Sequence, residues 1–196
     1  MLRQLTCAGA LICFIAACSG SQSPETAFFN SVSALCGKAY EGEIVSQDKI
    51  DDAWRSERIV MHVRDCSASQ IRIPLHVGEN RSRTWVLSET GETLSLRHDH
   101  RHRDGAPDAL TQYGGLADRV SVIRAEFPAD ASTQTLFEVQ QIPESMTNTW
   151  ALEADPKADV FAYEMSREGR FFRIEFDLSN PVAEPPAPWG MEKSEG

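Results

Sequence analysis

Three histidines alternate with charged residues in the segment His98-Asp99-His100-Arg101-His102. Leu94 and Leu96 precede them at the same two-residue spacing, so a strand that continues through the segment would place all three imidazoles on one face. Neighbouring members of that row lie roughly 6.8 Å apart, close enough for two nitrogens to bind one ion. The spacing therefore predicts that His98 and His100 bind zinc or another transition metal.

Two nitrogens are too few for a stable metal site, so a further ligand must come from another segment. His76 is the first candidate, with His62 and Asp104 as alternatives. The competing interpretation is a hydrated hairpin end, in which charged neighbours surround the imidazoles with salt bridges. Both interpretations stay open at the level of the sequence.

Two arginines alternate with small polar residues ahead of Trp85, so Arg81 and Arg83 are predicted on one side of a strand. A buried guanidinium needs an anionic partner. Pairing within the fold is favoured over an anionic ligand, and the candidate carboxylates are Glu41, Glu43, Glu175 and Asp177. Tyr113, which precedes Gly114-Gly115, is expected at the same rim, and a simple turn is the equally good alternative. The predicted ligand-binding side chains are Arg81, Arg83, Tyr113, His98, His100 and His102.

The sequence contains none of the common catalytic signatures. There is no G-x-S-x-G turn, no H-E-x-x-H, no phosphate-binding loop, no dinucleotide fingerprint and no C-x-x-C pair. A catalytic residue is therefore not assigned, and binding is favoured over catalysis.

The elements that must position these residues show a period of two. Apolar side chains alternate in four runs, which are Ile59-Met61-Val63, Ile71-Ile73-Leu75-Val77, Leu94-Leu96 and Phe172-Ile174-Phe176-Leu178. Such runs are typical of half-buried antiparallel strands. Ahead of them, Ser23-Pro24 is predicted to start a helix. Its apolar face would comprise Phe28, Val32, Leu35 and Ala39.

One short helix followed by about eight meandering strands predicts an all-β fold, a single antiparallel barrel of the calycin or lipocalin kind. A β-sandwich with the same number of strands is the alternative. The predicted segments are a signal peptide at 1–17, a tether at 18–23, the barrel at 24–180 and a Pro-rich tail at 181–196. Proline is excluded from central strands, so the tail should run over the outside, held by Trp189.

Four segments resemble a set of bacterial secreted proteins and lipoproteins with no assigned activity: His76 to Trp85, His98 to Gly105, Thr111 to Gly115 and Pro185 to Gly190. More distantly, Lys38 to Gly42, Arg81 to Trp85 and the run Phe172 to Leu178 are similar to the small barrels related to nitrobindin. The resemblance implies a barrel fold and brings no reaction with it.

The first seventeen residues have the design of an export signal. Arg3 is followed by an apolar run, Leu5 to Ile15, that is shorter than the roughly 20 residues needed to span a membrane. Ile15-Ala16-Ala17-Cys18 resembles the lipobox of bacterial lipoproteins. The resemblance implies cleavage before Cys18, a diacylglyceryl thioether on its sulfur and a fatty acid such as palmitate on its amino group, which together anchor a protein stably. Ser19 favours the periplasmic face of the outer membrane over the inner membrane.

Cys36 and Cys66 remain as one pair after Cys7 and Cys13 leave with the signal and Cys18 takes lipid. An exported domain with one such pair favours a disulfide. The alternative is that both thiols are small buried hydrophobic groups.

The formal net charge of −10 becomes more negative when Arg3 is removed with the signal. An acidic surface repels phosphate backbones, so nucleic acid is not a predicted partner. The first hypothesis is a lipid-anchored barrel in the cell envelope that binds a small molecule. The alternatives are a metal-binding protein or metal-dependent enzyme centred on the histidine segment, and an envelope scaffold that contacts another protein.

Replacing the predicted lipid-bearing residue, Cys18→Ala, should leave an unprocessed precursor, because the acylated sulfur is lost. The size of the protein on an immunoblot and its extraction from membranes by detergent measure the effect. Cys13→Ala, within the signal, should be processed as the wild type is. Normal maturation of Cys18→Ala with unchanged membrane association would contradict the lipoprotein assignment.

Overall fold

The computed structural model describes residues 22–91 and 93–191. The signal segment, Cys18 and most of the tether lie outside these ranges. Among the helices described, none is long and apolar enough to cross a membrane.

Strands are the main secondary structure of the described residues, which contain twelve of them with short helices between. The α-helices are α1 (Pro24–Ser33), α2 (Asp52–Arg55) and α3 (Ala131–Val139), and 3-10 helices lie at Lys49–Asp51 and Pro143–Thr147. The strands are β1 (Ala39–Ile44), β2 (Ile59–His62), β3 (Asp65–Cys66), β4 (Gln70–Val77), β5 (Asn80–Glu89), β6 (Leu94–His100), β7 (Tyr113–Leu116), β8 (Arg119–Val120), β9 (Arg124–Pro128), β10 (Thr149–Asp155), β11 (Val160–Arg167) and β12 (Arg170–Val182).

The strands form one antiparallel sheet in the order β7-β6-β5-β4-β2-β1-β12-β11-β10-β9-β8, with the short β3 paired to β4 alone. The order is that of a meander, except that β1 and β12 join its first and second halves. The sheet curls into a half-barrel. Its ends approach each other where Asp130 N donates to Gly114 O at 3.1 Å. The predicted all-β barrel with a short N-terminal helix is confirmed, and the single sheet excludes the sandwich.

Helix α1 begins at the predicted residue and ends earlier than predicted. Ser23 caps it by accepting a hydrogen bond from Thr26 N, and proline occupies the first turn. The helix ends at Ser33, and Gly37, with φ at +80°, turns the chain toward β1. Ala39, predicted on the helix face, is therefore the first residue of β1.

Arginine and glutamate side chains cover the outer face of β9 to β12. Arg173 contacts Glu153, Glu164 and Glu175, and Arg124 contacts Glu153 and Glu164. Burial alone would raise the pKa of Glu164, but hydrogen bonds from the two guanidinium groups hold it below its usual value. This ion-pair layer supports the back of the wall whose inner side lines the cavity described below.

Strand β12 extends through Pro181 to Val182, slightly beyond the predicted start of the tail. Pro181 lies opposite Tyr40 of β1, past Asp177, where the pairing with β11 ends. The missing N–H is tolerated there because β12 has a neighbour on one side only.

The described part of the Pro-rich tail, up to Met191, runs over the outside of the sheet. Arg81 Nη1 donates to Ala187 O at 2.8 Å, and Trp189 N donates to Arg81 O at 3.2 Å. Arg64 Nη2 donates to Met191 O at 2.9 Å. The partly buried Trp189 is thus one of several points that hold the tail against the sheet.

Cys36 and Cys66 form the predicted disulfide, with their Cα atoms 6.3 Å apart and a sequence separation of 30. The bond links the loop after α1 to β3. Closing a loop of this length restricts the unfolded chain.

Replacing both cysteines, Cys36→Ala with Cys66→Ala, should lower the free energy of unfolding by about 2 to 4 kcal/mol, because the unfolded chain regains that freedom. Urea unfolding of the two proteins measures the difference. Mass spectrometry of the wild type without reductant should find the two cysteines linked. Two alkylatable thiols in the folded wild type would contradict the assignment.

Candidate functional site

Inward-facing side chains of β5, β6 and β7 form a row across the concave face of the sheet. Trp85 lies opposite His98, and His98 lies opposite Tyr113. Two residues farther along, Arg83 lies opposite His100. Because residues two apart on a strand share a face, the row brings together Arg83, His98, His100 and Tyr113, all of which the sequence singles out.

These side chains line a cavity of about 250 Å³. Its walls are rich in aromatic side chains, which are Trp54, Trp85, Tyr113, Phe137, Trp150, Tyr163 and Phe172. Trp85 stacks on Tyr163 with ring centroids 4.3 Å apart, and His98 stacks on Tyr113 at 4.5 Å. Such stacking holds the rings in place, so the wall is formed before any ligand binds.

Both ring nitrogens of His98 are used within the wall. Nδ1 lies 3.2 Å from Tyr113 O, and Nε2 lies 2.9 Å from the Tyr163 hydroxyl. A carbonyl oxygen only accepts, so Nδ1 carries the proton and Nε2 accepts from the Tyr163 O–H. Burial, and after it the neighbouring His100, lowers the pKa of His98 to about 3. The imidazole is therefore neutral at pH 7.

His100 and Tyr113 form a second polar contact, with His100 Nε2 3.2 Å from the Tyr113 hydroxyl. Burial, followed by the charge of Arg83, lowers the pKa of His100 to about 4. Burial also raises the pKa of Tyr113 above its usual value. Both groups are neutral at pH 7, so Arg83 supplies the charge of this wall.

Arg83 has no carboxylate partner among the described residues. Its Nη1 donates to Ser82 Oγ at 3.2 Å, and its Cζ lies 4.7 Å from the centroid of the Trp54 ring. Burial lowers the pKa of Arg83 from its usual value, but a guanidinium stays charged at neutral pH. The group is a partly buried cation that stacks on an aromatic ring.

The prediction of an internal carboxylate partner is wrong for Arg83. The four candidate carboxylates line a separate acidic groove beside β1 and β12, and they are Glu41, Glu43, Glu175 and Asp177. Two of them have partners of their own, since Glu41 lies 2.8 Å from Arg58 and Glu175 lies 2.6 Å from Arg173.

Arg81 does not enter the cavity, although it is two residues from Arg83. The register between β4 and β5 shifts by one residue between Leu75 and Val77, which marks a β-bulge beside Arg81. The bulge changes the side-chain alternation, so Arg81 faces outward and binds Ala187 O of the tail. The two arginines therefore do not share a side of the strand.

His76 and His102 also lie away from the cavity. His76 alternates with Leu75 and Val77 of the core, so its imidazole is behind the sheet, where burial lowers its pKa to about 4. His102 follows the end of β6, is more than half exposed and lies 3.9 Å from Asp108. The alternative interpretation, a hydrated hairpin end, therefore applies to His102 but not to His98 and His100, which face the cavity.

The three predicted metal ligands do not converge. His98 and His100 face the cavity, His76 lies on the other side of the sheet, and His98 uses both nitrogens in hydrogen bonds. Within residues 22–91 and 93–191, no three His, Cys, Asp or Glu side chains are grouped so as to hold a metal ion. A zinc site at His98 and His100 stays a sequence prediction, and the described residues do not supply a third ligand for it.

Sequence reasoning missed the far wall of the cavity, formed by Trp150 of β10 and Tyr163 of β11. The available signal was the alternation of large side chains along these two strands. Ala151 and Ala162 on the opposite face are also buried, which hides the period of two.

Comparison of the chain with family models, with curated proteins and with solved structures gives no match in any of the three. The functional conclusion therefore rests on the chemistry of the site itself.

The free energy of unfolding should fall as the pH is lowered from 6.5 to 4.5. An unfolded histidine binds a proton with a pKa near 6.5, whereas folded His98 binds one only near 3. Protons therefore favour the unfolded chain in this window, and His98 alone should account for about 2 to 3 kcal/mol by pH 4.5. Urea unfolding at pH 7 and at pH 4.5 measures the loss.

His98→Gln keeps polar groups at this position and removes the titration, so its stability should fall less steeply with acid. The exposed His102 provides the matched control, and His102→Gln should keep the wild-type slope. An unchanged slope in His98→Gln would show that His98 does not titrate as assigned.

Proposed function

We propose that this chain is a binding module of the bacterial envelope, a lipid-anchored β-barrel that holds a small aromatic anion in its interior. The observation that carries the proposal is the Arg83 guanidinium, which faces an aromatic cavity without a carboxylate partner among the described residues. A carboxylate on the ligand would supply the missing counter-charge.

Arg83 has more donors than its described contacts use. A guanidinium carries five N–H groups in a planar fork, and one of its nitrogens binds Ser82 Oγ. Two parallel N–H groups can bind both oxygens of one carboxylate, and such charge-assisted bonds are stronger than neutral ones. The free donors therefore favour a planar anion.

The volume of the cavity and its other side chains limit the size of the ligand and favour an aromatic framework. A cavity of roughly 150 Å³ holds benzene, so about 250 Å³ suits a molecule of roughly 10 to 15 non-hydrogen atoms. Trp85, Trp150 and Tyr163 offer ring faces for stacking. One aromatic ring, or a fused pair, with an acidic group satisfies both limits.

Binding is favoured over catalysis by the state of His98. A general base that works near pH 7 needs a pKa near that value. Burial lowers the pKa of His98 to about 3, and its Nε2 already accepts a hydrogen bond from the Tyr163 hydroxyl. The imidazole is thus suited to position Tyr113 and Tyr163 through hydrogen bonds and not to remove a proton from a ligand.

A location in the envelope is supported by two features of the chain. The lipobox resemblance at Ile15 to Cys18 implies a lipid anchor, and the tether at 18–23 would place the barrel beside the membrane. The disulfide between Cys36 and Cys66 fits an oxidising compartment. Both features agree with the periplasmic face of the outer membrane.

The exported domain should bind 4-ethylbenzoate more tightly than 4-ethylbenzyl alcohol, because only the carboxylate can pair with Arg83. Arg83→Gln should weaken 4-ethylbenzoate by tenfold or more, about the value of one charge-assisted pair, and leave the alcohol unchanged. Calorimetric titration measures both affinities.

The matched control is Arg81→Gln, which removes the same charge from the outer face of the same strand and should bind as the wild type does. Equal affinity of the wild type for acid and alcohol, or equal losses in the two variants, would overturn the role of Arg83.

A further inference from the structure

A second polar group without a full set of partners faces the same cavity. Asp51 is 7% exposed and lines the cavity wall. Its Oδ1 accepts a hydrogen bond from Arg170 Nη2 at 2.5 Å. Its Oδ2 is buried and has no hydrogen-bond partner among the described residues. A buried carboxylate oxygen without a donor is costly, so the protein gains stability when a ligand supplies one.

Asp51 does not cap the helix that follows it. It ends the 3-10 helix and directly precedes α2 with helical backbone angles, so it lacks the extended conformation of a capping residue, and its side chain makes no capping hydrogen bond. The side chain pairs with Arg170 and lines the cavity wall.

The guanidinium of Arg170 does not neutralise Asp51 alone. Arg170 Nη1 also lies 3.3 Å from Asp48, so one cation is shared between two carboxylates. Asp48, Asp51 and Arg170 together carry one net negative charge. Asp51 and Arg170 line the cavity and Asp48 does not, so the excess negative charge lies behind the Asp51 end, whereas Arg83 carries at its own end a positive charge that no described carboxylate pairs.

Aromatic rings separate the two ends. Arg83 stacks on Trp54, which follows Asp51 by three residues and so lies on the same side of this turn. Trp54 meets Phe172 edge to face, with centroids 5.8 Å apart, and Arg170 lies over Phe172 at 5.6 Å. Along this chain of contacts, the rings of Trp54 and Phe172 lie between the Arg83 cation and the Asp51–Arg170 pair.

We propose that the ligand is a small aromatic zwitterion, whose carboxylate binds Arg83 and whose protonated amine at the opposite end donates to Asp51 Oδ2. This inference rests on the proposed function and adds the second recognition group. An ammonium satisfies Oδ2 and balances the excess negative charge, which a neutral donor would leave in place.

Three probes of similar size separate the two ends of the cavity. They are 4-(aminomethyl)benzoate, which carries both charges across one ring, 4-ethylbenzoate, which carries the anion alone, and 4-ethylbenzylamine, which carries the cation alone. Calorimetric titration of the exported wild-type domain should find 4-(aminomethyl)benzoate at least tenfold tighter than either of the others.

Asp51→Asn replaces one carboxylate oxygen by an amide NH2 group. The variant should lose the higher affinity for 4-(aminomethyl)benzoate, and it should bind 4-ethylbenzoate as the wild type does. Asp52→Asn is the matched control, because Asp52 is exposed, pairs with Arg55 and lies one residue away. It removes the same charge and should keep the wild-type order of affinities.

The outcomes distinguish the two proposals. If 4-ethylbenzoate binds through Arg83 and the amine adds nothing, the zwitterion is overturned and the anion-binding function stands. If neither carboxylate binds the wild type, the anion-binding function is overturned as well. Because the comparison of probes needs only wild-type protein, the inference is testable even if Asp51→Asn does not fold.

Discussion

The pairing of β1 with β12 joins the two halves of the chain into one curled sheet, and the cavity exists only because of it. Arg83, His98 and His100 come from the first half, and Trp150 and Tyr163 from the second. The pairing is close enough to require glycine at one point, since a Cβ at Gly42 would lie 2.5 Å from the ring of Phe176. That ring in turn packs edge to face on Trp85, with centroids 6.4 Å apart. Phe176 therefore connects the β1–β12 pairing directly to Trp85 in the wall of the cavity.

Much of the fold and part of the site could be predicted because side-chain alternation is a local property. The strands around Ile73, Leu96 and Ile174 lie where the period of two places them. The same parity correctly puts His98 and His100 on the inner face. It also puts His76 outside, because Leu75 and Val77 face the core, so the proposed third metal ligand was already at odds with the pattern. The lipid anchor lies outside the described residues and remains a sequence prediction.

Other parts depend on contacts that no local pattern contains. The bulge that separates Arg81 from Arg83 follows from the register between β4 and β5, and a one-residue shift sends a side chain to the opposite face. Helix α2 has only four residues, too few for a periodic signal, so the positions of Asp51 and Trp54 depend on tertiary packing. Pro181 is accepted in β12 because the neighbouring strand ends before it, which only the assembled sheet determines.

The positions of the hydrogen-bonding protons at His98 and Tyr163 favour one orientation of a ligand in the cavity. The carbonyl of Tyr113 accepts a hydrogen bond from the Nδ1–H group of His98, so Nε2 carries no proton and accepts a hydrogen bond from the Tyr163 hydroxyl. Tyr163 therefore has no hydrogen left to donate to a ligand. The carboxylate of the proposed ligand would find no donor at this hydroxyl and would be directed to Arg83, so a ligand with two unlike ends would fit this wall in one orientation and be disfavoured in the other.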